Sequence, residues 1–139
     1  MTQTPWGKFS LPGDDAAYAC GHSPEFRKSV REIFGPLVEW VEHFPAGRHA
    51  WLMEEVPAQG SLSAFFRGLE KRLTPSGSLW VVFPKKPFAK ELSFPFGWSD
   101  VQKAGLSAGL VDNKIAAFSP RLTSIRFVVP IARRKPAAR

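Results

Sequence analysis

Ser78-Leu79-Trp80-Val81-Val82-Phe83-Pro84-Lys85-Lys86-Pro87 decides the fold. The first six residues are almost continuously apolar and rich in β-branched and aromatic side chains. They read as a central strand covered on both faces, and Pro84 closes it. Upstream, Leu73-Thr74-Pro75-Ser76-Gly77 reads as a compact helix-to-strand turn. Before it, Ser61 caps a helix with Leu62, Phe65, Phe66, Leu69 and Leu73 on one side. Ala50–Val56 reads as another strand, ending in Glu54 and Glu55. Leu37–Phe44 fits an alternating strand through Val38 and Trp40, and a helix through Leu37, Trp40, Val41 and Phe44. The helix is the preferred reading. Earlier still, Ala16–Gly21 is a short apolar strand. Ser23-Pro24-Glu25 then supplies an N-cap, a first-turn proline and a favourable acid for a helix through Phe26, Val30, Ile33 and Phe34. Gly35-Pro36 stops that helix.

Downstream of the central strand comes a loop containing Phe88, Phe94, Phe96 and Trp98. Ser99 and Asp100 open a last helix, which closes near Gly109. Lys114–Phe118 and Ser124–Ile131 read as two final strands joined by 119–123. The alternation of strands and helices predicts a three-layer α/β sandwich with parallel early strands and an antiparallel C-terminal hairpin. Residues 1–15 are expected to be an arm packed by Trp6 and Phe9. Residues 16–131 would form one domain, and 132–139 a basic flexible tail.

The 139 residues are 44% hydrophobic and 22% charged, an ordinary globular composition. No apolar run approaches the roughly 20 residues that span a bilayer. The N-terminus lacks the regions of a signal peptide, and the single cysteine, Cys20, suits a reducing cytoplasm. The net charge of +7 is unevenly placed. Residues 1–83 carry 8 basic and 9 acidic residues, whereas 84–139 carry 11 basic and 3 acidic ones. Such a basic segment suits nucleic acid or another polyanion, with Lys85, Lys86, Lys90, Arg121 and Arg126 as the contact candidates.

The stretch Leu73–Val82 resembles the turn and strand late in Rossmann-like methyltransferases. A closer resemblance is to a bacterial family of short, functionally uncharacterised Rossmann-like proteins. These share a strand ending in Trp/Phe-Pro-Lys-Lys, a helix leading to Gly-Leu-Val-Asp, and a closing strand with Arg-Phe-Val. The corresponding residues here are Phe83-Pro84-Lys85-Lys86, Gly109-Leu110-Val111-Asp112 and Arg126-Phe127-Val128. The similarity covers residues 73–131, and 16–56 in outline. Leu122 departs from it, standing where that family often has tryptophan. The resemblance implies a truncated methyltransferase-like fold with a mostly parallel sheet.

In open α/β sheets ligands gather beyond the carboxyl ends of the strands. This rule selects Gly21, His22, Ser23, Glu54, Lys85 and Lys86 as ligand-binding candidates. The start of the helix at Ser23 suits an anion. A nucleotide or S-adenosylmethionine loop needs several glycines, however, and only Gly21 is present, while Pro24 removes a donor. Glu54 and Glu55 must face opposite sides of a strand, so they cannot act as a pair, and a solvated strand end is expected. Lys85 and Lys86 could hold phosphate or carboxylate as point charges. His22 is a candidate general base, Cys20 a packing residue, and the three histidines lack a metal-ligand spacing. The aromatic loop 87–98 is expected to pack against the sheet or to form a homodimer contact.

The reading that follows is a methyltransferase-like domain without a standard cofactor loop, which binds rather than catalyses. No cofactor and no metal are expected. The alternatives are a polyanion binder and a small-molecule enzyme at the strand-end site.

Overall fold

The computed structural model describes residues 5–133. Their core is β4 (Leu73–Pro84), which is fully buried from Ser78 to Phe83. β4 starts earlier than the sequence suggests, because the expected turn at 73–77 lies inside the strand as a bulge. Leu73 pairs with His49 and Ser78 with Trp51, so two residues of the neighbouring strand oppose five of β4. Gly77 permits this close approach: a Cβ there would lie 2.9 Å from the His49 carbonyl oxygen.

Around β4 stand β1 (Tyr18–Cys20), β2 (Glu39–Trp40), β3 (His49–Glu55), β5 (Val111–Ala117) and β6 (Leu122–Val128). They form one six-stranded sheet in the order β2-β1-β3-β4-β6-β5. The first four strands run parallel, and β6 enters antiparallel between β4 and β5. The expected C-terminal hairpin is present, with β6 inside the sheet and β5 at its edge. The hairpin connection is tighter than expected, since β6 begins at Leu122.

A four-residue helix, α1 (Pro5–Lys8), opens the described chain. One sheet face is covered by α2 (Pro24–Phe34) together with Phe9, and the other by α3 (Leu62–Glu70) and α4 (Trp98–Ser107). The α2 start is read correctly from sequence. Ser23 is extended, its hydroxyl accepts from the Phe26 amide, and Pro24 fills the first turn. Gly35 ends the helix at φ 55°, a conformation that costs glycine little.

Residues 37–44 do not form the preferred helix. A 3₁₀ turn at Gly35–Leu37 leads into β2, where the amides of Glu39 and of Val41, just past the strand, donate to the carbonyls of Ala17 and Ala19. Leu37, which the helical stripe requires, is 41% exposed, whereas Val38 is buried. Residues 41–48 then return to β3 across β1 with no helix. A parallel crossover usually takes a dozen or more residues, so this one is short. No helix among the described residues is long and apolar enough to cross a membrane.

The N-terminal segment is a structural part of the core. Trp51 and Trp80 are both fully buried, and an indole N–H is a donor that burial leaves costly unless accepted. Both donate to the Phe9 carbonyl oxygen at 2.8 Å. The Phe9 ring packs edge-on to Phe34, Trp80 and Phe118. The expected packing role of Trp6 and most of the tail 132–139 lie outside the described side chains.

Phe9→Ala should therefore lower unfolding stability by about 3–5 kcal/mol in urea titration. The exposed Leu37→Ala should stay within about 0.5 kcal/mol.

Candidate functional site

The chain order reverses between β1 and β3, which puts the switch point of the sheet at the carboxyl ends of these strands. Gly21, His22 and Ser23 follow β1 there. Their expected anion is supplied by the protein. The amides of His22 and Ser23 each donate to Glu55 Oε1 at 2.9 Å, and the Ser23 hydroxyl donates to Oε2 at 2.6 Å. Glu55 is only 7% exposed. Charge-assisted bonds and the positive end of α2 both stabilise its carboxylate.

The expected solvated end at Glu54-Glu55 is thus corrected for Glu55, because the α2 start draws its carboxylate inward. Gly21 serves the same packing: a Cβ there would overlap the Phe26 ring and lie 2.8 Å from Glu55 Oε1. His22 Nε2 lies 3.3 Å from the Val56 carbonyl, which can only accept, so that nitrogen carries the proton. Glu55 Oε1 stands 3.7 Å from it.

Glu54 faces the other side, as strand alternation requires. It lines a cavity of about 410 Å³ with Cys20, Glu42, His43, Phe65 and Arg72. The cavity lies beside α3, next to the helixless 41–48 return. Burial pushes the Glu54 carboxyl up to about 7, against the opposing pull of Arg72. Burial also pushes the Cys20 thiol up to about 11, reinforced by the charges of Glu54 and Glu42. Its Sγ donates to the Glu42 carbonyl at 3.3 Å. Cys20 is therefore a protonated thiol at neutral pH and a poor nucleophile, and it borders a cavity rather than filling a core. Glu42 and Arg72 escape sequence reasoning because each carries only an ordinary surface signal. No group of three or more His, Cys, Asp or Glu able to hold a metal ion occurs among the described residues.

Lys85 and Lys86 stand at the end of β4 beside a larger cavity of about 630 Å³. The aromatic loop folds over this carboxyl edge. Phe94 is buried, stacks on Phe83 with centroids 5.9 Å apart, and meets Phe96 edge-on. Trp98 remains 39% exposed.

The polyanion candidates do not form one set. Arg121 holds Glu25 through Nε at 3.2 Å and lies 3.5 Å from Glu91. Arg126 lies within β6, opposite Trp80, where it donates to Ser78 Oγ at 2.7 and 2.9 Å. Lys90 is exposed on the loop.

Two tests follow from the acids. Folded Glu54 keeps its proton to about pH 7, against the usual 4.5. Its stabilising contribution is thus complete below pH 4.5 and lost as pH rises through 7. Across that window wild type should lose up to about 3 kcal/mol relative to Glu54→Gln, read from urea midpoints at each pH. Glu55→Ala should cost about 2–4 kcal/mol at pH 7, since it strands the His22 and Ser23 amides, while Glu55→Gln should cost less.

No protein-family model matches the sequence, and no curated protein does. Solved structures do share its shape. CalO1, a methyltransferase in calicheamicin biosynthesis solved in its SAH-bound form, superposes with a TM-score of 0.62 at 10% identity, over 91% of this chain and 52% of CalO1. The CcbJ methyltransferase of Streptomyces caelestis gives 0.58 at 10% identity, covering 90% of each chain. A TehB-like SAM-dependent methyltransferase of Corynebacterium glutamicum gives 0.52 at 10% identity, over 83% of this chain and 68% of that one. The chain spans 56% of the Methanococcus jannaschii fibrillarin pre-rRNA processing protein and 46% of LepI, so it covers about half of several of these structures. The chain has the Rossmann-like fold of the SAM-dependent methyltransferases.

Proposed function

We propose that this chain is a methyltransferase-like domain that binds a ligand or partner without using S-adenosylmethionine. The observation that carries this reading is the Glu55 carboxylate at the start of α2. In a nucleotide-type site, glycines let the backbone approach the ligand, and the amides at the helix start are left for it. Here the one glycine, Gly21, is closed in by Phe26 and Glu55, and the amides of His22 and Ser23 are already taken. Pro24 offers no amide at all. The residues at the end of β1 therefore do not fit the cofactor.

Catalysis at the neighbouring groups has little support. Cys20 is held protonated and His22 Nε2 is engaged with the Val56 carbonyl. A polyanion-binding role is weakened because Arg121 is paired with Glu25 and Glu91, and Arg126 is bonded to Ser78. The further reading that the chain belongs with short Rossmann-like proteins is supported by the motifs Phe83–Lys86, Gly109–Asp112 and Arg126–Val128.

Titration calorimetry with S-adenosylmethionine and S-adenosylhomocysteine should give no heat of binding up to about 1 mM. Micromolar binding of either compound would sink the reading.

A further inference from the structure

We infer that the cavity at the carboxyl end of β4 is a binding site for a flat, largely apolar small molecule carrying one anionic group, a carboxylate or a phosphate. This inference goes beyond the proposed loss of cofactor binding and does not depend on it, because that reading concerns the end of β1.

The volume of about 630 Å³ is of the size that holds small organic ligands. The walls are apolar and partly aromatic: Phe83 on the floor strand, Phe96 in the loop, and Trp98 at the start of α4. Flat rings suit such walls, since aromatic faces pack best on other aromatic faces and edges. Trp98 is 39% exposed, although it sits beside a cavity that could cover it. Thr123 and Ser99 add hydroxyls to an otherwise apolar lining.

The charge at this cavity has one sign. Lys85 and Lys86 both line it and no acidic residue does. The acids nearby in sequence are already partnered: Glu91 lies 3.5 Å from Arg121, and Asp100, outside the lining but beside it, accepts at 2.7 Å from the amide of the lining residue Gly97. Neither lysine has an ion-pair partner among the described residues.

Their backbones are nonetheless fixed. The Lys85 amide donates to the Arg121 carbonyl at 2.8 Å, and Lys86 opens a 3₁₀ turn through Phe88. Two cations carried on fixed backbone at the border of a largely apolar cavity are complementary to an anion with an apolar body. The partly apolar surroundings strengthen that attraction relative to water. An ammonium recognises carboxylate or phosphate as a point charge, without the bidentate geometry that would separate them.

The test uses calorimetry on the whole chain with three probes of one shape: biphenyl-4-carboxylate, biphenyl-4-yl phosphate and the neutral biphenyl-4-carboxamide. At least one anionic probe should bind about tenfold or more tightly than the amide, and whichever is tighter identifies the anionic group. The double variant Lys85→Gln/Lys86→Gln should abolish that preference and leave amide binding unchanged. Trp98→Ala should weaken all three probes. Circular dichroism of both variants should match wild type, since these side chains are not in the buried core. Equal affinity for anions and amide, retention of the preference in the double variant, or no binding by about 1 mM would overturn the inference. If S-adenosylmethionine binds while the lysine variant still loses its anion preference, only the reading of the β1 end fails.

Discussion

The carboxylate of Glu55 joins the end of β3 to the start of α2, and the ligand edge of the sheet is arranged around that junction. β1 and β3 are adjacent and parallel, with Cys20 opposite Glu54, so the residue after each strand falls beside its neighbour. The first amides of a helix need acceptors, and an anion suits them best. In this chain the acceptor is covalently part of the fold. Any external anion must displace a tethered carboxylate whose effective concentration is set by the chain itself, which a free ligand in solution cannot match. Gly21 then becomes a packing residue for Phe26 and Glu55.

With the first amides of α2 taken from within, a cavity of about 280 Å³ remains between His22, Ser23, Glu55 and Leu92, and two larger ones flank it on the other sheet face. Of those two, the smaller, beside α3, brings acids together around Glu54, with Arg72 as the counter-charge. The larger, beside α4, is apolar with two lysines. These are opposite electrostatic environments on one sheet face. They suit different chemistry: the first tunes protons, and the second attracts anions.

Much of the architecture was readable because its signals are local. The apolar run in β4, the Ser23-Pro24-Glu25 start and the Ser61 cap each declare themselves within a few residues. β2 did not, because a two-residue strand leaves almost no periodicity, and only its pairing to Ala17 and Ala19 defines it. The turn chemistry of Pro75-Ser76-Gly77 was real, yet both of its flanks pair with β3, which only the sheet reveals. At the site, alternation correctly put Glu54 and Glu55 on opposite faces. Their burial could not be read, since it depends on the α2 start and on the short return from β2. The pairing of Arg121 with Glu25, 96 residues apart, is equally invisible in the chain. The Lys85 and Lys86 position was legible because Pro84 fixes where the strand ends.

The two edges of the sheet differ in what they expose to other chains. β2 offers only two residues, too few unpaired amides to template a further strand. β5 is seven residues long, and Ile115 on it is 57% exposed. Its neighbour Lys114 donates back to the Lys8 carbonyl at 2.7 Å, which pins a charged side chain along that edge. Edge lysines oppose strand-to-strand association. The chain thus guards against aggregation by brevity at one end of the sheet and by charge at the other.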